Sequence, residues 1–264
     1  MLTPPHPHQN QLLAALPAIE LIHLMPHLEL IQVSLGDSLW EVGRPFSYAY
    51  FPTSAIISLR HILNNGSSSA SSSVGCEGML GIPLLMGGEC APSWAMVHTT
   101  GFSYRVKAAF LLQKFNEGGP LQRLLLRYTH ALITEVALNV VCNRHHKMEQ
   151  QLSRWLLSTL DRLGSEEFIV TQELIANLLG VRREGITGIA KKFQQAGIIR
   201  HQRGHITVLD RAGLEEGVCE CYDVIKKEFD RVSEYVRTHE ERHDNKHEFG
   251  KTTVVRNIKI TDAR

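Results

Sequence analysis

The stretch from Thr171 to Asp210 constrains this chain most, because its apolar periodicity changes from helical to strand-like within one short segment. Leu174, Ile175, Leu178 and Leu179 fall on one face at helical spacing. Thr171 stands just before them as an N-cap, its hydroxyl able to accept from the first turn. Gly180 supplies the left-handed backbone on which a helix can stop. Val181 plugs the corner, and Ile186, Ile189, Ala190 and Phe193 give a second helix its buried face. Gly197 ends that helix. Ile198-Ile199 and Ile206–Val208 then read as two short strands around an Arg203-Gly204 turn.

Charge in this segment is lopsided. Arg182, Arg183, Lys191, Lys192, Arg200, Arg203 and Arg211 stand against only Glu184 and Asp210, in a chain whose net charge is +1. A helix-turn-helix with cations on its second helix and on the hairpin, or wing, suits a phosphate backbone and a major groove. The competing reading is a solvated basic face on an ordinary helical domain.

The 264 residues suggest about two domains. The N-terminal MLTPPHPHQNQLL has no basic segment followed by an apolar run, so no signal peptide is expected. No apolar stretch reads as approaching the ~20 residues that span a bilayer, so no membrane partner is expected. Five scattered cysteines, Cys76, Cys90, Cys142, Cys219 and Cys221, argue for a reducing compartment, and the expected location is cytoplasmic.

Residues 10 to 30 read as helical, with Leu12, Leu13, Leu16, Ile19 and Ile22 on a face interrupted by Pro17 and Pro26. From Leu30 to Phe110, short apolar runs separated by turn signals predict an antiparallel barrel or jelly roll. Asn64-Asn65-Gly66 is a hairpin signal, and the serines after it are read as a weak edge strand leading to Val74 rather than a disordered loop. From Pro120 to about His146, Leu121, Leu125, Tyr128, Leu132, Val136 and Val140 recur at gaps of three and four, predicting a long helix that packs on the barrel or on a second copy of itself. Gln150 to Leu163 opens the next domain with Leu152, Trp155, Leu156, Leu157 and Leu160 as its core. Gly213 to Tyr235 reads as one more helix, followed by a polar, charge-mixed tail. The expected fold is α+β: a jelly-roll sensor domain (1–119), a dimerisation helix (120–148), a winged helix-turn-helix (149–212) and a C-terminal helix with tail (213–264).

The order barrel, long helix, winged helix resembles the cyclic-AMP receptor/FNR superfamily of bacterial transcription regulators. The resemblance spans roughly residues 10 to 235, carried by YFPTSAIISL, EGMLGIPLLMGG, CNRHHKMEQQLSRWLLSTLDRLG, TQELIANLLGVRREGIT, AGIIRHQRGHITVLDRAGLE and CECY in that order. It implies a homodimer on double-stranded DNA, an effector pocket in the jelly roll, contact with RNA polymerase, and no enzymatic activity. Arg183 and Glu184 match an Arg-Glu pair at the start of the recognition helix, the arginine reading guanine and the glutamate accepting from cytosine. A further arginine of the best-known member is replaced by Gly188, which leaves Thr187 as a candidate contact to a thymine methyl. Thr171, Gln172, Arg200, Arg203 and His205 are candidates for phosphate contacts, with Arg182 and Lys191 in the same basic segment. Gly185 and Gly188 are costly inside a helix, which suggests close approach to DNA or to a neighbouring helix, or plain tolerance.

The pocket departs from the cyclic-nucleotide pattern. Gly81 is kept, but Ile82 replaces the glutamate, and Ser93-Trp94 stand where an arginine and its hydroxyl neighbour would hold the phosphate. A buried phosphate without a guanidinium loses its charge-assisted bonds, so ordinary cyclic-AMP binding is not expected. Another ligand, or filling by Trp94, Ile82 and Leu85, remain alternatives. No cysteine precedes Cys76, which argues against the family's iron–sulfur sensor, and no histidine stands out as a haem ligand. Cys219 and Cys221 read as small semi-buried residues on a helix, with metal binding or oxidation sensing as the minor reading. His239-Glu240-Glu241-Arg242-His243 matches the H-E-x-x-H zinc-peptidase pattern, and His247 continues its spacing. It lies in a polar tail without a cleft, so a chance match is favoured over a tail-borne zinc hydrolase. No cofactor, metal or catalytic residue is therefore expected. The remaining rival is a ligand-binding module that does not read DNA.

Overall fold

The computed structural model describes residues 5–202 and 204–234. Helices α1 (Gln11–Ala14) and α2 (Ala18–Leu24) open the chain. Strands β1 (Glu29–Val33), β2 (Ser38–Trp40), β3 (Tyr48–Pro52), β4 (Ile56–Ile62), β5 (Ser68–Val74), β6 (Trp94–Thr99) and β7 (Gly101–Lys107) follow, with the short α3 (Ile82–Leu85) between β5 and β6. Then come α4 (Ala108–Asn116), α5 (Pro120–His145) and α6 (Met148–Leu163). The C-terminal part holds β8 (Glu167–Ile169), α7 (Gln172–Leu179), α8 (Arg183–Gln195), β9 (Ile199–Gln202), β10 (His205–Val208) and α9 (Arg211–Gly217). Residues 221–234 form a last helix, α10.

The first seven strands make two antiparallel sheets, ordered β1-β7-β3 and β2-β6-β4-β5, the expected jelly roll. The hairpin at Asn64-Asn65-Gly66 joins β4 to β5, and β5 is an edge strand as its serines suggested. Its composition has a packing reason, because the strand lies against α5 and α7. Ser72 donates to Glu135 on α5 (2.9 Å), and the Asn139 side chain of α5 donates to the Ser71 carbonyl (2.8 Å). Short side chains bring the helices close and cover the edge.

Two sequence expectations need correction here. Leu12, Leu13 and Leu16 are buried, but Ile19 and Ile22 are exposed while Leu21 and Leu24 are buried. Pro17 ends the register of α1, and α2 restarts with a different inward face. The helix expected from Gly213 to Tyr235 is also two helices. Asp210 caps α9 by accepting from Gly213 N–H (3.0 Å), and residues 218–220 break the run before α10. Helix α10 then returns along α5, with Ile225, Phe229 and Val232 in the main core and Phe229 against the Tyr128 ring.

Helix α5 carries two apolar stripes. Leu121, Leu125, Tyr128 and Leu132 pack inward on the barrel, so most of the stripe read from the sequence is satisfied within the chain. A second stripe faces out: Leu126, Ile133 and Val140, seven residues apart, are 53%, 56% and 67% exposed. These two stripes together make α5 long and apolar enough, by length and composition, to cross a bilayer, contrary to the expectation of no such stretch; its window has mean hydropathy 1.2. Polar residues interrupt the apolar ones along the chain, so α5 contains no long uninterrupted apolar run. Glu135, buried and ion-paired, sits in the middle of the helix.

A buried charge network joins the parts. Arg162 of α6 donates to Glu77 of the jelly roll (2.8 Å) and to Glu135 of α5 (2.9 Å), with all three side chains largely buried. Beside it His98 of β6 is fully buried, shares a hydrogen bond with the Ser58 hydroxyl and lies against the Trp155 ring of α6. Burial first, then the charges of Arg162 and Arg60, push His98 down to about 3. A histidine depressed in the fold binds more protons when unfolded, so it costs stability as pH falls below its unfolded value of about 6.5. The stability advantage of the wild type over His98→Gln should therefore shrink by about 2 kcal/mol between pH 7.5 and pH 5. Urea midpoints for both proteins across that range would check this, and a gap independent of pH would refute it.

Candidate DNA interface

The predicted helix, turn, helix and wing are all present. Thr171 caps α7 by accepting from Leu174 N–H (3.1 Å). Gly180 ends α7 in the left-handed region (φ +68°), where a side chain would be strained. Ile186, Ile189 and Ala190 bury one face of α8 in the domain core with Leu152, Leu156, Ile175 and Leu179. The wing gains a strand that the sequence reading lacked, because β8 pairs with β10 to give the order β8-β10-β9. Its pattern is a single buried residue, Phe168, between two exposed ones, too short to stand out by alternation.

Burying Ile186, Ile189 and Ala190 turns Arg183, Glu184, Thr187, Gly188 and Lys191 outward, with Arg182 exposed at the N-cap. Arg200 and His205 are exposed on the wing strands. The turn residue Arg203 lies outside the described residues. Arg182, Arg183, Lys191 and Arg200 have no ion-pair partner among the described residues, so their charge is unneutralised. Two other members of the basic segment are paired. Lys192 bonds Glu149 (2.7 Å), and Arg211 bonds Asp161 and Glu215 (2.8 Å each). The local positive excess is therefore smaller than the composition of the segment indicates. His205 lies 3.4 Å from Glu167 across the wing.

Thr187 and Gln172 act on each other. The Thr187 hydroxyl donates to Gln172 Oε1 (2.7 Å), and the Gln172 side-chain amide reaches His201 Nδ1 (3.3 Å). Burial lowers the pKa of His201, which favours its neutral form in this chain of polar contacts. Gln172 thus braces the recognition helix against the wing while remaining half-buried. The two glycines of α8 separate cleanly. A Cβ at Gly185 would fall 2.7 Å from Met148 Sδ of α6, so close helix approach accounts for it, whereas Gly188 faces open space.

In the jelly roll, Gly81 caps α3, and a Cβ there would lie 2.5 Å from Met79 Cε and 2.9 Å from Ala49 Cβ. Ile82 is part of the main core with Leu85 packed against it. Ser93 is buried, and Trp94 is half-buried opposite Arg60 of β4. The structure thus surrounds Gly81 and Ile82 with apolar side chains.

The sequence offered metal binding at Cys219 and Cys221 only as a minor reading and did not tie them to Cys142 and His146. Cys142, His146, Cys219 and Cys221 come together, their ligand atoms all within 4.8 Å of one another. Cys219 and Cys221, expected as semi-buried residues on a helix, are fully buried, because the break at residues 218–220 turns them toward α5. The i,i+4 spacing of Cys142 and His146 beside a Cys-x-Cys pair was the available signal. The histidine-rich motif from His239 to His243 lies outside the described residues.

Residues 150–216 match the family model of the Crp-like helix-turn-helix domain. The fold is shared with solved regulators. FixK2 from Bradyrhizobium japonicum has a TM-score of 0.64 at 14% identity, covering 73% of this chain and 98% of that one. A CRP/FNR-family transcriptional regulator from Thermus thermophilus has 0.55 at 20%, covering 71% and 97%. The c-di-GMP-responsive global regulator CLP of Xanthomonas campestris has 0.55 at 13%, covering 73% and 99%. No curated protein matches the chain. The chain therefore shares the fold of these solved regulators and carries a Crp-like helix-turn-helix domain at residues 150–216.

Proposed function

We propose that this protein is a cytoplasmic, non-enzymatic homodimer that recognises a specific palindromic DNA site. The observation that carries the reading is the outward face of α8, where cations unneutralised by the protein stand on a helix whose other face is core. In this reading Arg183 grips guanine O6 and N7, and Glu184 accepts from cytosine N4. The Thr187 hydroxyl is already bonded to Gln172, so its base contact is made by the methyl group. Arg182, Lys191, Arg200 and Arg203 meet phosphates, with Thr171, Gln172 and His205 positioning the same backbone.

The heptad spacing of Leu126, Ile133 and Val140 supports pairing of two α5 helices, since a seam of that period meets its own copy in a coiled coil. Two recognition helices would then address half-sites about 10 bp apart. The apolar surroundings of Gly81 and Ile82 favour a filled pocket and DNA binding without a cyclic nucleotide. Recruitment of RNA polymerase belongs to the same reading.

Selection from a random DNA pool by the purified protein, at fixed salt and without ligand, tests it. A palindrome with half-sites one turn apart is the expected result, and Ile133→Glu should sediment as a folded monomer. No enrichment, with or without cell extract, would overturn the DNA-reading assignment.

A further inference from the structure

Three thiols and an imidazole converge where the long helix ends. Cys142 lies in the last turn of α5 and His146 is its C-cap residue, while Cys219 and Cys221 flank the start of α10. Cys142 Sγ is 3.6 Å from Cys219 Sγ, and Cys221 Sγ is 3.7 Å from His146 Nδ1. A tetrahedron with zinc–sulfur bonds of about 2.3 Å and a zinc–nitrogen bond of about 2.0 Å has edges of roughly 3.5–3.8 Å. The pairs therefore already stand at the separations of ligands on one ion, and well beyond the S–S bond of about 2.05 Å in a disulfide.

The surroundings fit a metal as well. The three cysteines form a small buried cluster of their own, with Leu138 packed against it, apart from the larger cores. The Gln151 amide donates to the carbonyls of Cys142 (3.3 Å) and His146 (2.9 Å), fixing both ligand-bearing residues. His146 turns Nδ1 to the thiols, and its Nε2 stands 3.4 Å from Glu220 Oε1. That is the carboxylate–histidine arrangement that orients a ligating imidazole. Three thiolates on a divalent ion leave one net negative charge. Arg154 is buried with its Nε unpartnered and lies close enough for its charge to act on Cys142.

We propose that Cys142, His146, Cys219 and Cys221 form a closed, tetrahedral zinc site that clamps the end of the long helix to the start of α10 and the residues just before it. Soft sulfur donors with one imidazole select zinc among abundant divalent ions, and four protein ligands leave no open position for catalysis. The site lies at the junction through which α5 connects to the DNA-binding domain, so zinc would fix the angle between them. It stands independently of DNA recognition.

Cobalt(II) titration of the reduced full-length chain tests this, in a background carrying His239→Ala, His243→Ala and His247→Ala so that tail histidines contribute nothing. The expected result is one cobalt per chain, with thiolate-to-cobalt charge-transfer bands and the intense visible bands of tetrahedral cobalt, both abolished by excess zinc. Cys142→Ser and Cys219→Ser should lose these bands, while Cys76→Ser and Cys90→Ser keep them. Should the core cysteine variants fail to fold, Glu220→Gln, altered at an exposed side chain, should fold and bind cobalt about tenfold more weakly. Absence of charge-transfer bands in the reduced protein would overturn the site. So would bands that persist in folded Cys142→Ser, or cysteines that form a disulfide in air and take up no cobalt after reduction.

Discussion

Arg183→Ala should weaken binding to the selected site by roughly 30-fold to 10⁴-fold and leave binding to random DNA nearly unchanged. A bidentate arginine–guanine contact contributes about 1–3 kcal/mol of discrimination. A dimer loses it twice, about 2–6 kcal/mol, and each 1.4 kcal/mol is about tenfold. Arg183 is exposed in the first turn of α8 and has no carboxylate partner among the described residues, so its removal breaks nothing inside the fold. Arg200 provides the contrast. It is exposed on β9, and as a phosphate contact its replacement should weaken specific and random DNA alike. Two lost contacts per dimer should flatten the slope of log affinity against log salt by about 1.8. Fluorescence anisotropy on the selected and a scrambled duplex, over a range of salt, separates the two. An equal loss on both duplexes for Arg183→Ala would show that it does not read bases.

The DNA-binding part was legible in the sequence because local chemistry determines it. A cap at Thr171, a stop at Gly180 and a repeating buried face on α8 are each settled within a few residues of chain. The serine-rich β5 was legible as an edge strand for a similar reason, since the turn at Asn64-Asn65-Gly66 fixes its partner. What the sequence did not disclose depends on pairs far apart in the chain. The pairing of Lys192 with Glu149 and of Arg211 with Asp161 forms only when the fold brings those carboxylates beside them. Val136 and Val140 look like part of the inward stripe of α5, yet Val140 faces out, and only packing shows which stripe the barrel takes. Cys142 and Cys219 are 77 residues apart, and the break before α10 that joins them coincides with no proline.

Arg162 is the strongest instance of such a hidden pairing, and replacing it should have the largest effect on stability. Arg162→Met should destabilise the protein by about 3–5 kcal/mol, because it leaves two buried carboxylates facing each other without a cation. Burial alone would lower the pKa of Arg162, but Glu77 and then Glu135 reverse this and hold the guanidinium firmly protonated. The distances, 2.8 Å to Glu77 and 2.9 Å to Glu135, agree with that direction. These two partners come from the jelly roll and from α5, so one side chain ties the DNA-binding domain to both. A further substitution decides whether charge or packing matters. Converting Glu77 and Glu135 to glutamine in the Arg162→Met background removes the unpaired charges and should restore most of the lost stability, since neutral replacement of a buried ion network is often nearly free of cost. Urea denaturation of the wild type, the single variant and the triple variant gives the comparison. If the triple variant is as unstable as the single, unpaired charge is not the cause of the loss, and the electrostatic account of this junction fails. If it recovers, the network is electrostatic, and because it couples the jelly roll, the long helix and the helix-turn-helix domain, the triple variant should also bind DNA with altered affinity while α8 is untouched.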